Sequence, residues 1–191
     1  MSIPLIITLL IPLLLIIYII TIHNRIIAYY NATQRAWADV ITQQMQKNRL
    51  LPTLERMVEE YKIHEADLLQ NITALRSSLK NIAPENSSVE QLREINNESK
   101  MLFSQLNMVA ENYPSLKASE VYQQFMQELS ELEKNVAASI RIFNANVETF
   151  NTTIELFPNL FINQLFSKKS PLPIFDDHQA SSDFEYRPPF K

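Results

Sequence analysis

Few side chains in this sequence have the type and spacing for chemistry. His64 and Glu65 are the most suggestive pair, because histidine titrates near neutrality and a glutamate set in an apolar stripe is pushed toward its neutral form by desolvation. Such a pair could pass a proton. Its surroundings do not extend it: residue 68 is Leu, so there is no H-E-x-x-H zinc site, and no E-x-x-H occurs to build a di-metal carboxylate centre. The plainer reading, which we prefer, makes Glu65 a hydrogen-bonded residue that sets helix register and His64 a surface neighbour. A second constellation is the aromatic-Asn step, which occurs at Phe143-Asn144 and Phe150-Asn151, seven residues apart, and again at Tyr30-Asn31. Polar groups beside an apolar seam can bond across it, so Asn31 is expected near Asn144 or Asn151; simple solvation is the alternative. A third is the run from Phe157 to Lys169, with Phe161, Phe166, Lys168 and Lys169, which suits either a membrane surface or the capping of one end of a helical bundle.

Composition removes whole classes of function. The 191 residues contain no glycine, where average usage would give roughly 13. Phosphate-cradling loops, dinucleotide-binding turns and nucleophile elbows all need glycine backbone, so none is encoded. There is no cysteine either, which excludes disulfides, thiolate metal sites and cysteine nucleophiles. Net charge is −4, and acidic residues concentrate between Ala83 and Leu156, 11 against 5 basic ones. No basic stretch interleaved with aromatics marks a nucleic-acid surface.

The elements that must hold these residues are helices. From Ile3 to Ile22 run 20 uncharged, mostly apolar residues, about 30 Å of helix and enough to span a bilayer. No Lys or Arg precedes the run and no small-residue cleavage site follows it, which favours a retained anchor over a signal peptide. Arg25 directly follows, and the positive-inside rule then places the rest of the chain in the cytoplasm, with the periplasm as the alternative. Beyond the anchor, apolar spacing predicts a helix over 25–48 carrying Trp37, with Lys47 off its apolar face. A second helix is expected from Leu54 to Leu79 and a third after a corner at 83–88, capped by Ser87 or Ser88. A fourth, of roughly 40 residues, should start near Ser115 after Tyr113-Pro114 and end near Phe157-Pro158. The expected fold is therefore all-α: a transmembrane helix (1–24), then an antiparallel up-and-down bundle of four long helices (25–167), or of three if Pro52 only kinks one. A polar, disordered tail (168–191) is expected to follow.

Two blocks carry a family signature. Ala36–Glu65 holds Ala-Trp37, Gln43, Leu-x-Pro52, Leu54, Val58, Tyr61 and His64-Glu65. Tyr113–Pro158 holds Tyr113-Pro114-x-Leu-Lys-Ala, Leu-x-x-x-Glu, Asn144, Asn151 and Phe-Pro158. In these blocks the chain resembles the LemA family of bacterial membrane-anchored helical proteins. It departs from the family's pattern at Glu60, where glycine is frequent, at Thr53, where Asn is usual, and at Ile41 and Arg49, two commonly acidic positions. With Glu60 in that place, no glycine-dependent backbone feature is expected there. The resemblance implies a helical bundle on an anchor in the bacterial inner membrane, with no established catalytic activity and no cofactor.

The functional expectation is a scaffold or interaction module, without catalytic, cofactor-binding or metal-binding residues. It would be held in the bilayer through residues 3–22 and engage a protein partner or further copies of itself, but not nucleic acid. A membrane-tethered, metal-dependent hydrolase or a signal-transmitting sensor built on bundle carboxylates is the alternative.

Overall fold

Helices account for nearly all of the regular structure because apolar residues recur at three- and four-residue spacing almost throughout. The computed structural model describes residues 3–63 and 65–176, and its elements in order are α1 (Ile3–Gln46), a 3₁₀ turn (Lys47–Arg49), α2 (Leu51–Glu60), α3 (Ala66–Asn81), α4 (Val89–Asn112), α5 (Pro114–Lys117), α6 (Glu120–Glu155), α7 (Asn159–Ile162) and a π turn (Asn163–Ser167). Among the described residues there is no strand. The fold is all-α, and its N-terminal helix is long and apolar enough to cross a membrane.

The expected first helix and the apolar run are one uninterrupted helix, with Pro12 inside it. Pro52 does not kink a longer helix. It lies in the first turn of α2, where its missing N–H has no intrahelical partner to lose. The expected helix from Leu54 to Leu79 is broken at 61–65, and the break has a backbone reason. Lys62 adopts a left-handed φ of 51°, its N–H donates to Glu59 O, and Ile63 N–H donates to Val58 O at 2.9 Å. This is a Schellman end, normally built on glycine. A feature of the kind glycine serves is thus present beside Glu60, contrary to expectation, with Lys62 taking the strained position.

The corner at 83–88 forms as expected. Ser88 caps α4 in a reciprocal box with Gln91, while Ser87 Oγ accepts from Ala83 N–H at 2.9 Å. The last long helix begins later than expected. α5 is a separate turn, Ser119 Oγ accepts from Tyr122 N–H at 3.2 Å, and α6 runs 36 residues from Glu120.

Among the described residues the chain divides into two compact units, one within Met1–Ala38 and Arg141–Ile174, the other within Asp39–Ile140 and Phe175–Lys191. In the first, α1 and α6 pack antiparallel through Tyr30 and Phe150 (ring centroids 5.6 Å) and through Trp37 and Phe143 (5.1 Å). Each step of seven along α1 matches a step of seven back along α6. Ile22, Ile26, Phe150, Ile154 and Ile162 form a core cluster here, each contributing on the order of 1.5–3 kcal/mol by burial. In the second, α3 and α4 form a hairpin bridged by Asn71 and Gln105 (2.7 Å), and Arg76 pairs with Glu55 of α2 at 2.7 Å. There α4 meets α6 through Phe103 and Phe125, and the Tyr122 hydroxyl donates to Asn107 Oδ1 at 2.9 Å.

The expected disordered tail does not begin at residue 168. Within the first unit Lys169 and Leu172 are held against α6 and α1, as described below, and within the second Phe175 is buried and the Asp176 carbonyl accepts from Arg93 Nε at 3.3 Å. The remainder of that tail, 177–191, lies outside the described residues.

Candidate functional site

Of the pair His64-Glu65, only Glu65 lies among the described residues. Glu65 is solvent-exposed at the N-cap of α3 rather than seated in an apolar stripe, because the break at 61–65 turns it out of register with Tyr61 and Leu68. His64 lies outside the described residues. The buried polar chemistry is elsewhere, on residues read as surface.

Lys47 is fully buried. Its ammonium donates to Glu133 Oε1 of α6 at 2.6 Å and to Ser99 Oγ of α4 at 3.1 Å, and Ser99 Oγ donates in turn to Glu133 at 3.4 Å. Three segments meet at this one cation. Burial pushes the Lys47 ammonium below its ordinary value of 10.5; Glu133 opposes this by charge and hydrogen bond, and Lys100 adds repulsion. Burial and then the Glu111 charge raise the Tyr122 hydroxyl in the same unit. Gln44 is also fully buried, and neither of its amide atoms has a partner among the described residues; Gln43 Oε1 and Glu98 Oε2 are likewise buried and unpaired.

The spacing contained this arrangement: Lys47 falls three residues after Gln44 and seven after Val40, on the face that buries Val40, and Glu133 falls four after Leu129 on the buried stripe of α6. Residue type concealed it, since a lysine at a stripe position is ordinarily read as solvated. The unusually polar middle of α4, Asn96 to Ser99, was the available signal, and Asn96 and Ser99 are both buried.

The family-motif residues have mostly packing or corner positions. Trp37 is core, Gln43 half-buried, Pro52 exposed, and Tyr61 caps α2 by donating its N–H to Met57 O at 3.0 Å. Tyr113 ends α4 and Pro114 opens α5. Asn144 is half-buried. Asn151 does not meet Asn31, which is exposed; its amide exchanges two hydrogen bonds, each 2.9 Å, with the Leu172 backbone. The neighbouring of α1 and α6 is as expected, but the aromatic half of each aromatic-Asn step carries it. Pro158 precedes α7, and its carbonyl accepts from Phe161 N–H at 3.2 Å. Phe161 and Phe166 are exposed, Lys168 ends the π turn at φ 48°, and the Lys169 ammonium stacks 3.8 Å over the Tyr30 ring.

Among the described residues no three His, Cys, Asp or Glu side chains converge as ion ligands. Between α3 and α4 lies an open groove of about 610 Å³, edged by Met101, Met108 and Gln105. Helix corners and a buried polar network are arrangements that hold helices together. The model of the LemA family matches residues 36–184. The chain belongs to the LemA family. It is similar to Protein LemA of Metamycoplasma hominis, with 31% identity over 134 residues that cover 70% of this chain and 60% of that relative. The chain therefore spans about 60% of the length of the curated LemA relative it matches.

Proposed function

We propose that this LemA-family chain is a single-pass, membrane-anchored helical-bundle scaffold of the bacterial inner membrane, which binds a protein partner and catalyses no reaction. The observation that carries the reading is a change of environment along α1. Leu10, Ile11, Leu13 to Tyr18 and Ile20 all stand about half exposed, whereas Ile22 and Ile26 are buried. A continuous sleeve of large apolar side chains without protein cover suits hydrocarbon, and Thr21 Oγ1 satisfies itself on Ile17 O at 2.8 Å, as a hydroxyl in lipid must. Arg25 supports a cytoplasmic bundle.

Partner binding is supported by the α3–α4 groove, where Met101 and Met108 are exposed; flexible methionines suit an adaptable protein contact. Two measurements test the proposal. Replacing Leu14 and Ile17 by Lys should release the chain from carbonate-washed membranes, and retention would defeat the anchor reading. In-cell crosslinking from Met101 and Met108, with mass spectrometry of what is captured, should recover one dominant protein. Self-crosslinks alone would point to a homo-oligomeric role, and a stoichiometric transition metal on the purified chain would favour the hydrolase alternative.

A further inference from the structure

We infer that the chain makes a second contact with the bilayer: the exposed apolar edge of α7 and the π turn lies in the headgroup region of the membrane that holds α1. The inference rests on the anchor reading of residues 10–22. Between Phe157 and Phe166 five large apolar side chains are exposed: Phe157 at 80%, Leu160 at 37%, Phe161 at 55%, Leu165 at 68% and Phe166 at 57%. A contiguous patch of this kind on a folded surface marks something that covers it.

Its position within the first unit identifies the cover. Ile162 is buried with Ile22 and Ile26, and Ser167 Oγ is 2.9 Å from His23 Nδ1. The segment is thus fixed beside the residues where the exposed apolar run of α1 ends. Asn163 secures it, because its side chain donates to Lys169 O at 2.9 Å and accepts from Lys169 N–H at 3.0 Å. A bilayer whose hydrocarbon accommodates α1 as far as Ile22 has its headgroup layer at the level of His23 to Arg25. The patch therefore lies at that depth and is continuous with the sleeve of α1. Charge agrees: no acidic residue occurs from Leu156 to Phe175, while Lys168 is exposed at the edge of the patch, a combination that suits anionic lipid.

The chain has no cysteine, so single-cysteine variants take a nitroxide label at one place only. The variants are Phe161→Cys and Phe166→Cys, with Ile17→Cys as the anchor reference and Met108→Cys as the aqueous reference. Each full chain is reconstituted into vesicles of phosphatidylethanolamine and phosphatidylglycerol, and label collisions with oxygen and with a water-soluble nickel chelate are measured. The oxygen-to-nickel ratio at 161 and 166 should be several-fold above that at 108 and below that at 17. A ratio at 161 and 166 equal to that at 108, with 17 still lipid-exposed, overturns the second contact and leaves the anchor standing. Low access to both reagents at 161 and 166 also overturns it, in favour of a second copy covering the patch. An aqueous label at 17 overturns the anchor and this inference together.

Discussion

α1 and α6 meet in two chemically opposite ways. In the first unit their contacts are Tyr30 with Phe150 and Trp37 with Phe143. In the second, ten residues after Trp37 and ten before Phe143 in sequence, the 3₁₀ turn that follows α1 presents Lys47 to Glu133 of α6. The aromatic layers supply buried area, which is favourable and only loosely directional. The polar layer supplies direction: a desolvated ammonium is tolerated only where a carboxylate and a hydroxyl reach it, so a slip of α6 by one turn would strand it. We therefore assign stability to the aromatic layers and register to the Lys47 layer, and that division can be broken at several points.

The largest effect is expected from Phe150→Ala. This fully buried ring should cost about 4 kcal/mol, a cavity term added to lost transfer energy, read from denaturant unfolding of the detergent-solubilised chain. Glu133→Ala should follow, at about 3 kcal/mol, because it leaves the Lys47 charge buried with only Ser99 for company. A loss no greater than that of a surface substitution would end the register assignment. The decisive companion is Lys47→Met with Glu133→Leu, which should return stability to within about 1 kcal/mol of the parent or above it, while amide NMR lines of α4 and α6 broaden as the register loosens. Lys62→Gly should stabilise by about 0.5–1 kcal/mol, by relieving the left-handed position that ends α2; a loss would mean that the Lys62 side chain holds something the backbone does not need.

The finest readout is pH. The pKa of Lys47 is lowered by burial from 10.5, so between the lowered value and 10.5 the unfolded chain holds a proton that the folded chain has released. Stability contributed by this group should accordingly rise with pH across that window, and the cost of burying the charge is fully present below it. Lys47→Met should flatten the rise in the unfolding midpoint.

Much of this molecule was legible residue by residue. Along α6 the apolar residues spaced three and four apart from Tyr122 to Ile154 are buried or half-buried, while Phe157, at the expected end of that helix, is exposed. Ser88 caps α4 because a serine before an apolar run, with Gln91 three residues on, is a local device needing no tertiary partner. Lys47, expected off the apolar face of the helix over 25–48, is buried together with Gln44, while the apolar Met45 between them is exposed. Neighbouring positions exchanged roles because the 3₁₀ turn at Lys47–Arg49 and the facing α4 and α6 decide which side of that helix end is covered.

The amino-acid order alone determined the apolar span, the helical class, the corners at 83–88 and 113–114 and the absence of glycine chemistry, since these depend on hydropathy, periodicity and backbone permissiveness within a few residues. Tertiary structure decided the rest. Lys47 is a core residue only because Glu133 and Ser99, remote in sequence, arrive to satisfy it. Lys62 takes a glycine's conformation because burial of Val58 and Ile63 offsets the strain. Residues 168–172 are held because Asn151 and Tyr30 receive them. For Lys47 and for residues 168–172 the energy lies in contacts between residues remote in sequence, and no local pattern encodes the partner that makes them.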